Sequence, residues 1–133
     1  MERDSRFDES ARLCCCVNLV HYWKDALPQE DALTQIDDLA SKVAEKSFEY
    51  LKSNRDLQAI FERRFEILGE AFRRLERTDP HLFAKVPGAR DAIDMRNIIA
   101  HGYDGIDHRV LWEAVSNDLP LMRATIIREL ARS

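Results

Sequence analysis

The firmest pattern lies in the middle of the chain, where Phe61, Phe65, Leu68, Phe72 and Leu75 recur at alternating steps of four and three. That spacing lines five large apolar side chains along one stripe of an α-helix, to serve as core or as a dimer seam. Ser53-Asn54 supplies a cap before the stripe and Thr78-Asp79-Pro80 a stop after it, which bounds the helix. Upstream, Pro28-Gln29-Glu30-Asp31 reads as the acidic first turn of a helix. Ile36, Leu39, Val43 and Tyr50 then continue one stripe, so a helix is expected over 29–52.

Downstream, Val86-Pro87-Gly88 separates a short connector from a helix expected over 89–101, and Gly102 suits a left-handed C-cap. Beyond the turn Asp104-Gly105-Ile106-Asp107, the positions Val110, Leu111, Ala114 and Val115 form an amphipathic stretch. Asn117-Asp118-Leu119-Pro120 breaks or kinks it before a last helix ending near Arg132. With short connections and no period-two run, the pattern predicts an all-α fold, an antiparallel four- to five-helix bundle that dimerises. Residues 1–28 lack a clean period and read as an N-terminal extension; residues 29–133 form the helical domain.

Composition narrows the class. A chain of 133 residues with 45% hydrophobic and 33% charged positions is one domain's worth of helical protein. No apolar run reaches the roughly 20 residues that cross a bilayer, and Met1-Glu2-Arg3-Asp4 lacks the basic-then-apolar order of a signal peptide, so a cytoplasmic location without membrane contact is expected. The three cysteines are consecutive, Cys14-Cys15-Cys16, which suits neither a disulfide framework nor, even with His21, the spaced pairs that hold zinc. A buried apolar patch is the expected role. The net charge of −4 excludes a protein that coats nucleic acid through many phosphate contacts. Between Asp25 and Asn54 seven acids face three lysines, whereas between Arg55 and Tyr103 nine basic residues face eight acids. The second half is where an anion is less unwelcome.

That half carries the candidate chemistry, in the run Arg96-Asn97-Ile98-Ile99-Ala100-His101-Gly102-Tyr103. Cleaving RNA by attack of its own 2′-hydroxyl requires a proton acceptor, a proton donor and cations for the charge gathering on the phosphate. Histidine at a helix C-terminus, where the last carbonyls favour the imidazolium, and arginine with its planar fork suit those tasks. Residues five apart differ by about 140° around a helix, so Arg96 and His101 diverge, whereas Asn97 shares a face with His101 and can orient it. Arg96 falls instead with Ile93 and Ala100, on a face ordinarily buried, and there it needs an acid, a ligand or a second subunit. A twofold axis beside this helix end would bring two Arg96 and two His101 to one cleft, so a homodimer with a composite site is expected.

Met95-Arg96-Asn97-Ile98-Ile99-Ala100-His101-Gly102-Tyr103 resembles the Arg-x4-His-x-Tyr signature of HepT toxins, a branch of the HEPN superfamily of helical, metal-independent ribonucleases. Ile67-Leu68-Gly69-Glu70-Ala71 resembles that family's second-helix motif, and Trp112 followed by Asn117-Asp118-Leu119-Pro120 its C-terminal segment, so the resemblance runs from about Ala32 to Arg128. It implies a type VII toxin, an endoribonuclease acting on cellular tRNA or mRNA with Arg96 and His101 catalytic, Asn97 supporting them, and no cofactor or metal. It further implies a cognate minimal nucleotidyltransferase antitoxin that transfers AMP to Tyr103, within a larger hetero-oligomer. A bulky anionic adduct two residues from His101 would block the cleft and repel an RNA phosphate. Glu70, by similarity, reaches toward Arg96 or His101.

Plainer roles stand beside these. His101 could be a simple cap, Tyr103 a packing aromatic and Glu70 a solvated helix residue. Arg63-Arg64 and Arg73-Arg74 could line an RNA path or form a solvated face. The whole domain could be a noncatalytic HEPN module that presents itself to a nucleotidyltransferase; the intact Arg96 and His101 favour the enzyme.

Overall fold

The computed structural model describes residues 27–102 and 105–132, and every regular element among them is helical. In chain order these are α1 (Pro28–Val43), α2 (Phe48–Lys52), α3 (Arg55–Thr78), α4 (Pro80–Lys85), α5 (Ala89–Ala100), α6 (His108–Glu113) and α7 (Leu119–Arg132). A π-helical turn, Ala114–Asp118, joins α6 to α7. The all-α expectation is met. The extension's Cys14-Cys15-Cys16 and His21, together with Tyr103, lie outside the described residues.

The central element is α3. Asn54 caps it as expected, its side-chain oxygen accepting from the Leu57 amide at 3.0 Å. All five stripe residues are buried, with Phe61, Leu68, Phe72 and Leu75 fully enclosed, so the stripe is core. Ion pairs fix how its neighbours run. Asp31 with Arg74, and Asp38 with Arg64 at 2.8 Å, set α1 antiparallel on one flank of α3. Arg90 with Glu76, and Arg96 with Glu70 at 3.5 Å, set α5 antiparallel on another. The sequence pairs Arg63-Arg64 and Arg73-Arg74 are therefore largely spent on local acids, Arg63 on Glu66 and Arg73 on Glu70.

The expected helix over 29–52 is two helices. Val43 ends α1, Glu45 takes a left-handed φ of 59°, and the chain restarts at Phe48. Tyr50, read as a stripe residue, is consequently exposed at 42%. No breaker residue marks the bend; tertiary contacts do. The break lets Leu51 bury completely and sets Phe48 edge-on to Trp112, 6.4 Å between ring centroids, while Phe61 stacks on the same indole at 6.3 Å. Gln58 then closes the end of α2 by donating to the carbonyls of Leu51 and Lys52. The connector after Pro80 also differs from expectation, since it winds into α4 under an Asp79 cap on the Leu82 amide.

Candidate active site

The site is built where α5 crosses α3, and the crossing turns on Gly69. A Cβ placed there would lie 2.2 Å from the Arg96 Cβ and 2.7 Å from the Ala92 carbonyl oxygen, distances that no packed pair adopts. Only a residue without a side chain lets α5 settle so close, and the approach lays the stem of Arg96 along the backbone of α3. Ile93 and Ala92, on the same flank of α5, are buried with it, whereas Ala100 is exposed. The apolar flank of α5 is thus shorter than its three-and-four spacing promised.

Arg96 is held from two sides. Its side chain is 26% exposed; one terminal nitrogen donates to Asn97 Oδ1 at 3.1 Å and the other lies 3.5 Å from Glu70 Oε1. Glu70 stands on α3 one residue past the crossing glycine, and its carboxylate also faces Arg73 at 3.7 Å. The acid that the sequence demanded for Arg96 is therefore Glu70. The arrangement leaves hydrogen-bonding capacity over: among the described residues, Arg96 Nε and Glu70 Oε1 are sealed from solvent with no hydrogen bond. The sealed Nε is out of reach of a ligand, whereas the side chain is 26% exposed and so can present other N–H groups to an anion.

His101 closes α5. Its amide donates to Asn97 O at 3.2 Å, and Gly102 follows at φ 64°, the left-handed cap expected there. The imidazole Nδ1 lies 2.6 Å from the same Asn97 carbonyl. A carbonyl oxygen only accepts, so Nδ1 carries the hydrogen and, in the neutral ring, Nε2 holds the lone pair. His101 is exposed. Asn97 thus serves both neighbours, though differently from expectation: its backbone oxygen fixes the imidazole while its side chain turns to Arg96.

Arg96, Asn97 and Glu70 are in one cluster and His101 joins it through the Asn97 backbone. Two features of this region of the fold were not singled out as such from sequence. Gly69 was visible as a glycine inside a strong helical stripe, where it weakens the helix unless packing requires it. The second is a half-buried pair, His108 Nε2 to Glu62 Oε2 at 2.7 Å, which ties the start of α6 to α3. These residues are 46 apart with no local pattern linking them, so no sequence signal marks the contact.

Residues 32–129 match the family model described as "Ribonuclease HepT-like". A Thermococcus cleftensis protein named "Probable ribonuclease HepT" is 31% identical over 94 residues, covering 71% of this chain and 84% of that one. Two further proteins whose names carry the word RNase match similarly. One, from Caldanaerobacter subterraneus, is 31% identical over 68% of this chain and 80% of its own. The other, from Methanocaldococcus jannaschii, is 28% identical over 72% and 87%. No solved structure matches the chain.

Proposed function

The chain belongs to the HepT-like ribonuclease family, and on that premise we propose that Arg96 and His101 carry metal-independent cleavage of cellular RNA, tRNA or mRNA. The observation that supports this most directly is the partly exposed Arg96 fork, braced by Glu70 and Asn97, on the helix that His101 ends. In the reaction, the 2′-oxygen forms a bond to the adjacent phosphorus as its proton passes to a base. The bond from phosphorus to the 5′-oxygen breaks, and an acid protonates the departing oxygen. His101 Nε2 supplies one of those proton transfers, and Arg96 offers N–H groups to the phosphoryl oxygens where charge accumulates. One histidine per chain at this site calls for a second copy across a twofold axis to supply the other, so the working species is a homodimer.

The same reading makes the chain the toxin of a type VII toxin–antitoxin pair in the cytoplasm. Its partner is a minimal nucleotidyltransferase that silences it by moving AMP from a nucleotide onto the Tyr103 hydroxyl, pyrophosphate leaving. The adduct carries negative charge to a position two residues from His101, where an RNA phosphate must approach.

The deciding experiment is RNA cleavage by the purified protein in chelator, comparing wild type with Arg96→Ala and His101→Ala. Loss of cleavage in both variants, with folding intact, is expected; equal activity in wild type and His101→Ala would end the assignment. For the partner, mass spectrometry of protein co-expressed with an adjacent-frame nucleotidyltransferase should show AMP additions that vanish in Tyr103→Phe. Their persistence would place the modification elsewhere.

A further inference from the structure

The flank of α5 that carries Asp91, Ala92 and Met95 borders a groove of about 590 Å³ that the ribonuclease reading leaves unused. Its floor is apolar, formed by Phe65 and Leu68 of α3 with Ala92 and Met95 of α5. The opposite wall is α6, the π turn and the start of α7. Two aliphatic side chains there stay in solvent, Val110 at 45% and Leu121 at 61% exposure. Around these lie three exposed carboxylates, Asp91, Glu113 and Asp118.

Asp31, Asp38, Glu70 and Glu76 are each matched to an arginine, whereas the groove's three acids form no ion pair among the described residues. An apolar trough rimmed by unmatched negative charge has a definite complement. RNA is repelled by it. A second copy docking through the same face would press like charges together. A helix with an apolar stripe flanked by lysine or arginine meets both features, laying its stripe on the floor and its cations against the rim.

We propose that this groove is the docking site for a basic, amphipathic helix of a partner protein. The assignment stands apart from the ribonuclease chemistry and from Tyr103. Met95 lines the groove next in sequence to Arg96, so an occupant bears on the helix that carries the site.

The test uses the full chain and a synthetic helical peptide with leucines at three-and-four spacing between lysines, followed by fluorescence anisotropy at low and high salt. Two control peptides replace the lysines by glutamate or the leucines by serine. Binding is expected for the first peptide alone. It should weaken about thirty-fold in Leu121→Asp and in Val110→Asp. The variant Asp91→Asn/Glu113→Gln/Asp118→Asn should lose affinity at low salt and flatten the salt dependence. Because Val110 and Leu121 are largely exposed, circular dichroism should show both single variants folded. Equal binding by all variants, or indifference to the peptide's charge, overturns the proposal. So does a wild-type dimer that ignores the peptide and dissociates in Leu121→Asp, which would give the groove to a second copy.

Discussion

A glycine inside a 24-residue helix weakens that helix by about 1 kcal/mol relative to alanine. At Gly69 the loss is the condition for seating Arg96. Replacing it with alanine restores helix propensity but drives a methyl into the Arg96 stem and the Ala92 carbonyl, and overpacking of that kind costs about 1–3 kcal/mol or more. Gly69→Ala is therefore expected to lower the denaturation midpoint and to reduce RNA cleavage further than its stability loss explains, because α5 must move away and take Arg96 with it. A variant with unchanged midpoint and rate would show that the crossing is looser than the geometry states. The Gly102 cap after His101 and the need of Arg96 for an acid were readable in the sequence, and the structure meets them with a φ of 64° and with Glu70. The service done by Asn97 was not, because a backbone carbonyl has no identity in a sequence.

Elements were predicted well where a single periodic stripe runs between caps, and poorly where tertiary contacts decide. α3 and α5 follow their caps and stripes. The division of α1 from α2 has no breaker to announce it and depends on Phe48, Leu51 and Trp112 meeting. Trp112→Ala should then uncouple α2 and α6 from Phe61 and destabilise the fold by about 3 kcal/mol, read by urea denaturation. A loss under about 1 kcal/mol would mean the indole fills little of the core. The α4–α7 contact predicts a pH effect. A hydrogen bond from Lys85 holds the Glu129 carboxyl below its ordinary 4.5; desolvation opposes it, and the charges of Lys85, Arg132 and Arg128 add smaller pulls downward. A depressed folded value means stabilisation that is complete above the ordinary value and lost as pH falls through the folded one. Melting temperature should thus drop more steeply between about pH 6 and pH 3 in wild type than in Lys85→Met, and parallel curves would remove Glu129 as a contributor.

At the scale of the molecule, the composite-site proposal has its own signature. If two copies must each lend Arg96 and His101, mixing wild type with rising amounts of His101→Ala, after subunit exchange, lowers activity as the square of the wild-type fraction. A linear fall would return the site to a single chain. Charge distribution was legible at this scale, for the acidic first part and nearly balanced second part become the arginine-bearing α3 and α5 clamped by acids of α1 and of α3 itself.

The π turn carries a further meaning. Buried positions through α6, the turn and α7 fall at Leu111, Val115, Leu119, Met122 and Ile126, so two steps of four precede the usual three and four. Two consecutive fours advance faster than an α-helix turns, and the wider π turn absorbs the excess. The segment thus behaves as two helical phases spliced by one surplus residue, much as an insertion shifts a reading frame. Deleting Ser116 should remove the surplus residue and heal the splice into continuous α-helix, leaving Leu119, Met122 and Ile126 on the core face. The shortened chain should therefore fold with a melting temperature close to that of the wild type, and a large fall would show that the π turn does not hold a surplus residue.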